Sequence, residues 1–121
     1  MNRPVLDAAH IHPAIRDAVA AHQADIVAKV QAAVARHAVV VVGMAQNPFC
    51  RRARQALTGA GVAFEYLEYG SYFKGWRQRT ALKMWCGWPT LPMVFVKGSL
   101  VGGANDLNRL IASGDLNRLL A

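Results

Sequence analysis

Trp88-Pro89-Thr90-Leu91-Pro92-Met93-Val94-Phe95-Val96-Lys97-Gly98-Ser99-Leu100-Val101-Gly102-Gly103 is the most informative run of the chain. Two prolines bracket Thr90-Leu91, a short apolar run meets Lys97-Gly98, and a second run ends in a double glycine. The pattern predicts a rigid entry loop, a β-hairpin and a glycine-rich lead into a helix. Pro92 lacks a backbone donor, and the cis form, confined almost entirely to X-Pro bonds, is open to Leu91-Pro92. Such a bond would turn the backbone of Leu91 outward, where its N–H and C=O can pair with an extended peptide as an added strand does. Gly102-Gly103 lets the chain turn tightly and present the free N–H groups of the next helix to a carboxylate. A peptide-like acid fits both features.

Upstream, Ala38-Val39-Val40-Val41-Val42 is a continuous apolar run closed by Gly43, as expected of a buried central strand. A loop then leads to Asn47-Pro48-Phe49-Cys50 and a basic helix from Arg51 to Thr58, stopped by Gly59 and Gly61. Val62, Phe64 and Tyr66 alternate with Ala63 and Glu65 and predict a second strand. Glu68 to Gly87 is aromatic and basic, a loop followed by a helix through Arg79, Leu82 and Lys83. Asp106 to Ile111 and Asp115 to Leu120 make terminal helix. At the other end, Ile15, Val19, His22, Ile26, Val30 and Val34 recur at helical steps between Pro13 and Arg36. No clear breaker interrupts that span, so it reads as one helix or two. Met1 to His12 is a loose leader, and His10 with His12 reads as a solvated turn rather than a metal pair, because no further ligand has suitable spacing.

A chain of 121 residues is one domain with room for a core, and its 54% hydrophobic content excludes disorder. No apolar run approaches a membrane span and no uninterrupted signal core opens the sequence, so a cytoplasmic address is expected. Two cysteines, Cys50 and Cys86, make no disulfide framework. The net charge of +7 points to acidic partners, but the basic residues are spread along the chain, which favours a solvated basic surface over a nucleic-acid footprint. Tyr66, Tyr69, Tyr72, Phe73, Trp76, Trp85 and Trp88 crowd together with Lys74, Arg77, Arg79 and Lys83. Aromatics mixed with cations can stack single-stranded nucleic acid, but core packing and the wall of a binding groove explain them more simply.

Three segments in order, Leu82-Lys83, Trp88-Pro89-Thr90-Leu91-Pro92 and Gly102-Gly103-Ala104-Asn105-Asp106, resemble the glutaredoxins, most closely their monothiol branch. The resemblance covers the greater part of the chain after the N-terminal helix. It implies an α/β, thioredoxin-like fold of the glutaredoxin type, consistent with the predicted order α-β-α-β-α-β-β-α. Residues 1–22 are then an N-terminal, partly helical extension, and residues 23–121 the glutaredoxin-like domain. The resemblance also implies a glutathione site. Arg79 would face the glycine carboxylate, Leu91 would supply backbone pairing between Thr90 and Pro92, and Ala104 and Asn105 would receive the γ-glutamyl carboxylate. Asp106 joins that site or is a plain helix cap.

Glutaredoxins carry Cys-Pro-Tyr-Cys or Cys-Gly-Phe-Ser after the first strand, with the first cysteine as nucleophile. Here Asn47 stands at that position, and Met44 replaces a lysine that the family places just before it. Weaker thiolate activation and weaker glutathione affinity are the expected consequences. Asn47 is a good N-cap, Pro48 suits the first helical position, and Cys50 falls third. The positive helix end, with Arg51 and Arg52, would lower the Cys50 pKa and make it a displaced nucleophile. Otherwise Cys50 is a small buried hydrophobe. Cys86 reads as a helix-end packing residue rather than a partner for Cys50.

The expected function is glutathione-dependent thiol–disulfide exchange through Cys50, with Asn47 beside it, on glutathionylated or disulfide-bearing proteins. The alternatives are a non-catalytic glutathione-groove module and an iron–sulfur carrier of the monothiol kind, the latter disfavoured because an amide is a poor iron ligand. Neither nucleic acid nor membrane is an expected partner. Oligomeric state is not readable from the sequence.

Overall fold

The computed structural model describes residues 2–121. The N-terminal helical region is split into α1 (Pro13–Ala21) and α2 (Ala24–Arg36). The break falls at Gln23, which adopts left-handed backbone (φ 51°) with no side-chain cap. No glycine or proline marks it, which is why the sequence leaves one helix or two open. The shared apolar stripe has two fates. Ile26 and Val30 of α2 are buried in the core, whereas Ile15 and Val19 of α1 remain 52% and 47% exposed. His12 caps α1, its Nδ1 accepting from Ala14 N–H at 3.1 Å.

The chain then runs through β1 (Val39–Gly43), α3 (Pro48–Gly59), β2 (Glu65–Glu68), α4 (Trp76–Cys86), β3 (Met93–Val96), β4 (Ser99–Gly102), α5 (Ala104–Ser113) and α6 (Asp115–Leu120). The sheet order is β2-β1-β3-β4. Strand β1 pairs parallel with β2 and antiparallel with β3, and β3 pairs antiparallel with β4. Lys97 and Gly98 both have positive φ, as the tight turn of the β3–β4 hairpin requires.

Strand β1 is central and fully buried, so its valines serve two cores. Val40 and Val42 pack with Ile26 and Val30 of α2 and Leu82 of α4. Val39 and Val41 face the other way, against Ala53 and Leu57 of α3, Leu107 of α5 and Leu116 of α6. Each fully buried Val or Leu contributes about 1.5–3 kcal/mol relative to exposure, so this double-sided burial fixes the sheet. The carboxyl end of β1, the first turn of α3 and the start of α5 consequently meet at one end of the molecule.

Candidate functional site

At that end the chain forms a groove of about 470 Å³. One wall is the loop Trp88 to Pro92, with Leu91-Pro92 in the cis form. The opposite wall is the start of α5, from Gly103 to Asp106. Met44, Asn47, Phe49, Tyr72 and Lys83 complete the lining. The structure thus brings Thr90, Leu91, Pro92, Ala104, Asn105 and Asp106 to one cavity, together with Asn47.

The start of α5 leaves backbone donors free of the helix ladder. Leu107 N–H closes the first turn of α5 on Gly103 O at 3.0 Å, so the N–H groups of Ala104, Asn105 and Asp106 precede the helix ladder. They lie at the positive end of the helix dipole, on the groove. Asp106 has a capping role: its Oδ2 accepts from Gly103 N–H at 3.0 Å, and its Oδ1 lies 3.6 Å from Arg109.

Arg79 lies elsewhere than the sequence reading placed it. It is 7% exposed, and its Nη1 donates to Tyr69 O at 3.1 Å and Lys74 O at 2.6 Å, holding the turn before α4. The cation on the groove is Lys83, one turn further along the same helix. Periodicity relates these two positions but does not say which turn of α4 meets the cavity. Tyr72 and Lys83, grouped in the sequence with the aromatics and cations of a groove wall, do line the groove, whereas Phe49 and Met44 are groove residues that the sequence did not mark as such.

Asn47 is the N-cap of α3, and its Oδ1 accepts from Phe49 N–H at 2.9 Å and Cys50 N–H at 3.1 Å. Behind this cap Cys50 is 0% exposed. An added Cβ on Gly43 would come within 3.0 Å of the Cys50 sulfur and 2.9 Å of Tyr66, so the glycine makes room for both. Arg54 stacks over the Tyr66 ring at 4.1 Å, and Tyr66 donates to Glu68 Oε1 at 3.0 Å.

This environment reverses the predicted direction of the Cys50 pKa. Burial pushes the thiol above its ordinary value of 9.0, against opposing pulls from a Met44 backbone hydrogen bond and the Arg54 guanidinium. Desolvation of a buried charge shifts a pKa by as much as roughly 3–5 units, whereas a helix terminus is worth about 0.3–1 kcal/mol, well under one unit. Burial wins. Arg51 and Arg52, the flanking cations, are solvent-exposed, and Arg52 lies 5.3 Å from the centre of the Phe49 ring.

Cys86 is half-buried, with its sulfur 3.5 Å from Met93 Sδ and accepting from Trp88 N–H at 3.4 Å. Burial raises its thiol pKa also. Both cysteines are free, and Cys86 packs at the end of α4.

The family model for glutaredoxin matches residues 39–101. A glutaredoxin-like protein of Dictyostelium discoideum is 44% identical over 95 residues, covering 78% of this chain and 77% of that one. Wheat glutaredoxin superposes with a TM-score of 0.69 at 32% identity, over 79% of this chain and 89% of the other. The structure of a buckwheat glutaredoxin–glutathione complex matches with a TM-score of 0.72 at 24% identity, over 82% and 90%, a likeness of fold. Sheet order, flanking helices and these matches define a thioredoxin-like fold, the scaffold of a thiol oxidoreductase. The chain belongs to the glutaredoxin family.

Proposed function

We propose that this glutaredoxin recognises glutathione, free or as the glutathionyl arm of a mixed disulfide, and that it performs slow thiol–disulfide exchange through Cys50. One observation carries the reading. Thr90 to Pro92, Lys83 and the first turn of α5 converge on a single groove whose lining includes Asn47, with Cys50 directly behind. A tripeptide with two carboxylates needs a cation, a helix N-terminus and a stretch of extended backbone at fixed separation. Lys83, Ala104-Asn105 and Thr90-Leu91 line the groove and offer these in turn.

In the exchange, the Cys50 thiolate attacks the glutathione sulfur of a mixed disulfide. The substrate thiolate leaves, and Cys50 carries glutathione. A second glutathione thiolate then forms glutathione disulfide and releases Cys50. Cys50 is covered by the Asn47 cap, so attack requires the first turn of α3 to open. The cap is worth about 1 kcal/mol, a modest barrier to opening, but the raised thiol pKa leaves little thiolate at neutral pH.

The complete burial of Cys50 favours a second reading, a groove that binds without turnover. Glutathionyl transfer from a small mixed disulfide separates the two. The exchange reading predicts slow turnover abolished in Cys50→Ser and raised strongly in Asn47→Cys, which places a thiol on the groove. Equal activity of wild type and Cys50→Ser would leave binding alone. The residues do not fit an iron–sulfur cluster, because Asn47 offers an amide at the groove and the Cys50 sulfur is buried behind it.

A further inference from the structure

The turn that Arg79 holds displays large apolar side chains to solvent. Ser71 and Lys74 pair through N–H···O bonds of 2.9 and 3.3 Å, and Phe73 N–H donates to Ser71 Oγ at 3.3 Å. Gly70 and Gly75 flank the turn with φ of 71° and 77°. A Cβ on Gly70 would strike Lys74 O and Arg79 Nη1, so the glycine is what lets the arginine close the turn. At the tip, Tyr72 and Phe73 are 57% and 90% exposed, and Trp76 follows at 60%. A buried arginine, two left-handed glycines and five hydrogen bonds therefore fix a turn whose outer face is aromatic. Exposed apolar groups that form a contiguous patch mark contact surfaces.

This face is continuous with the groove, since Tyr72 belongs to both, and the exposed Phe49 also lines that groove. Its own cations are unbalanced: from Tyr69 to Asn105 the sequence contains no carboxylate side chain, while Lys74 belongs to the turn, Arg77 to the first turn of α4, and Lys83 lines the groove. The Arg77 and Arg52 guanidinia lie 5.4 and 5.3 Å from the Trp76 and Phe49 ring centres. Each covers one face of its ring and so competes there with a stacking nucleobase.

We infer that this aromatic turn is the docking surface for the protein part of a glutathionylated substrate, and that it selects acidic segments carrying an aliphatic or aromatic anchor. The inference rests on the groove binding the glutathionyl arm, and it names the substrate class of that site. The groove takes the tripeptide; Phe73 and Trp76 take the apolar anchor; Lys74 and Arg77 meet the flanking carboxylates.

The test uses two S-glutathionylated peptides of equal length, one with Asp, Glu and Leu flanks and one with Lys and Ser, followed by fluorescence anisotropy. The full chain is expected to bind the acidic peptide at least about tenfold more tightly, a preference largely lost in Phe73→Ala and Trp76→Ala. Lys74→Glu with Arg77→Glu reverses it. Affinity for free glutathione stays unchanged in all of these variants, because none of the substituted side chains lines the groove. Equal binding of the two peptides, or a preference that survives every variant, overturns the inference while leaving the groove intact. Binding of the unmodified acidic peptide that depends on Phe73, in a protein that ignores glutathione, supports the docking surface and overturns the groove instead. Displacement of the acidic peptide by oligothymidylate, or by vesicles of anionic phospholipid, at equal ionic strength overturns the choice of partner.

Discussion

Asn47 and Cys50 show how a helix cap sets the surroundings of a thiol. Asn47 gives α3 a cap with two accepted hydrogen bonds and places an amide on the groove. Asn47→Ala is expected to lower unfolding free energy by about 1 kcal/mol in urea denaturation, with Asn47→Ser or Asn47→Asp keeping most of it. A change below about 0.3 kcal/mol would show that the cap carries no stability. The cap was legible in the sequence because Asn-Pro at a helix start has a local meaning. The thiol pKa was not, because it depends on what covers the sulfur. Gly43, Tyr66 and Arg54 come to Cys50 from β1, β2 and one turn further along α3. Only the folded chain says that their burial outweighs the helix end.

At the scale of elements, local signals placed the strands and the helix starts with small shifts. The Trp88 to Gly103 run became the loop, the hairpin and the α5 lead that its prolines and glycines predict. The facing of α4 was not readable, since Arg79 and Lys83 share one helix face and tertiary contacts decide which reaches the cavity. Their roles separate by experiment. Lys83→Ala should weaken glutathione binding by about tenfold in calorimetry, the scale of one charge-assisted contact, while leaving the thermal midpoint nearly unchanged. Arg79→Ala should instead cost about 1–3 kcal/mol of stability, because the Tyr69 and Lys74 carbonyls lose their donor. The opposite assignment of effects would return Arg79 to the groove. The exposed apolar stripe of α1 follows the same lesson: periodicity found Ile15 and Val19, and the break at Gln23 kept them out of the core.

For the whole molecule, the order of elements and both cores follow from alternating valines flanked by amphipathic helices, which is why the fold class could be read without coordinates. The same burial sets a pH dependence. The thiols of Cys50 and Cys86 and the phenols of Tyr66 and Tyr69 all have raised pKa values, mainly through desolvation. The folded chain therefore holds these protons more tightly than the unfolded chain does. Their contribution to stability is complete below the ordinary thiol value of 9.0 and is lost as pH rises beyond it. The urea midpoint should hold up to about pH 9 and fall above it, more steeply beyond about pH 10 where the phenols join, with Tyr66→Phe reducing the slope in that upper range. A midpoint flat over that range would contradict the buried environment of these groups. The central claim is that the groove recognises glutathione, and titrating the protein with glutathione while following backbone amide shifts tests it most directly. The predicted result is a joint, saturable perturbation of Thr90-Leu91, Ala104-Asn105 and the Lys83 turn of α4, with α1 and α6 unmoved; unperturbed groove amides at millimolar glutathione, a level ample for weak binding, would contradict it.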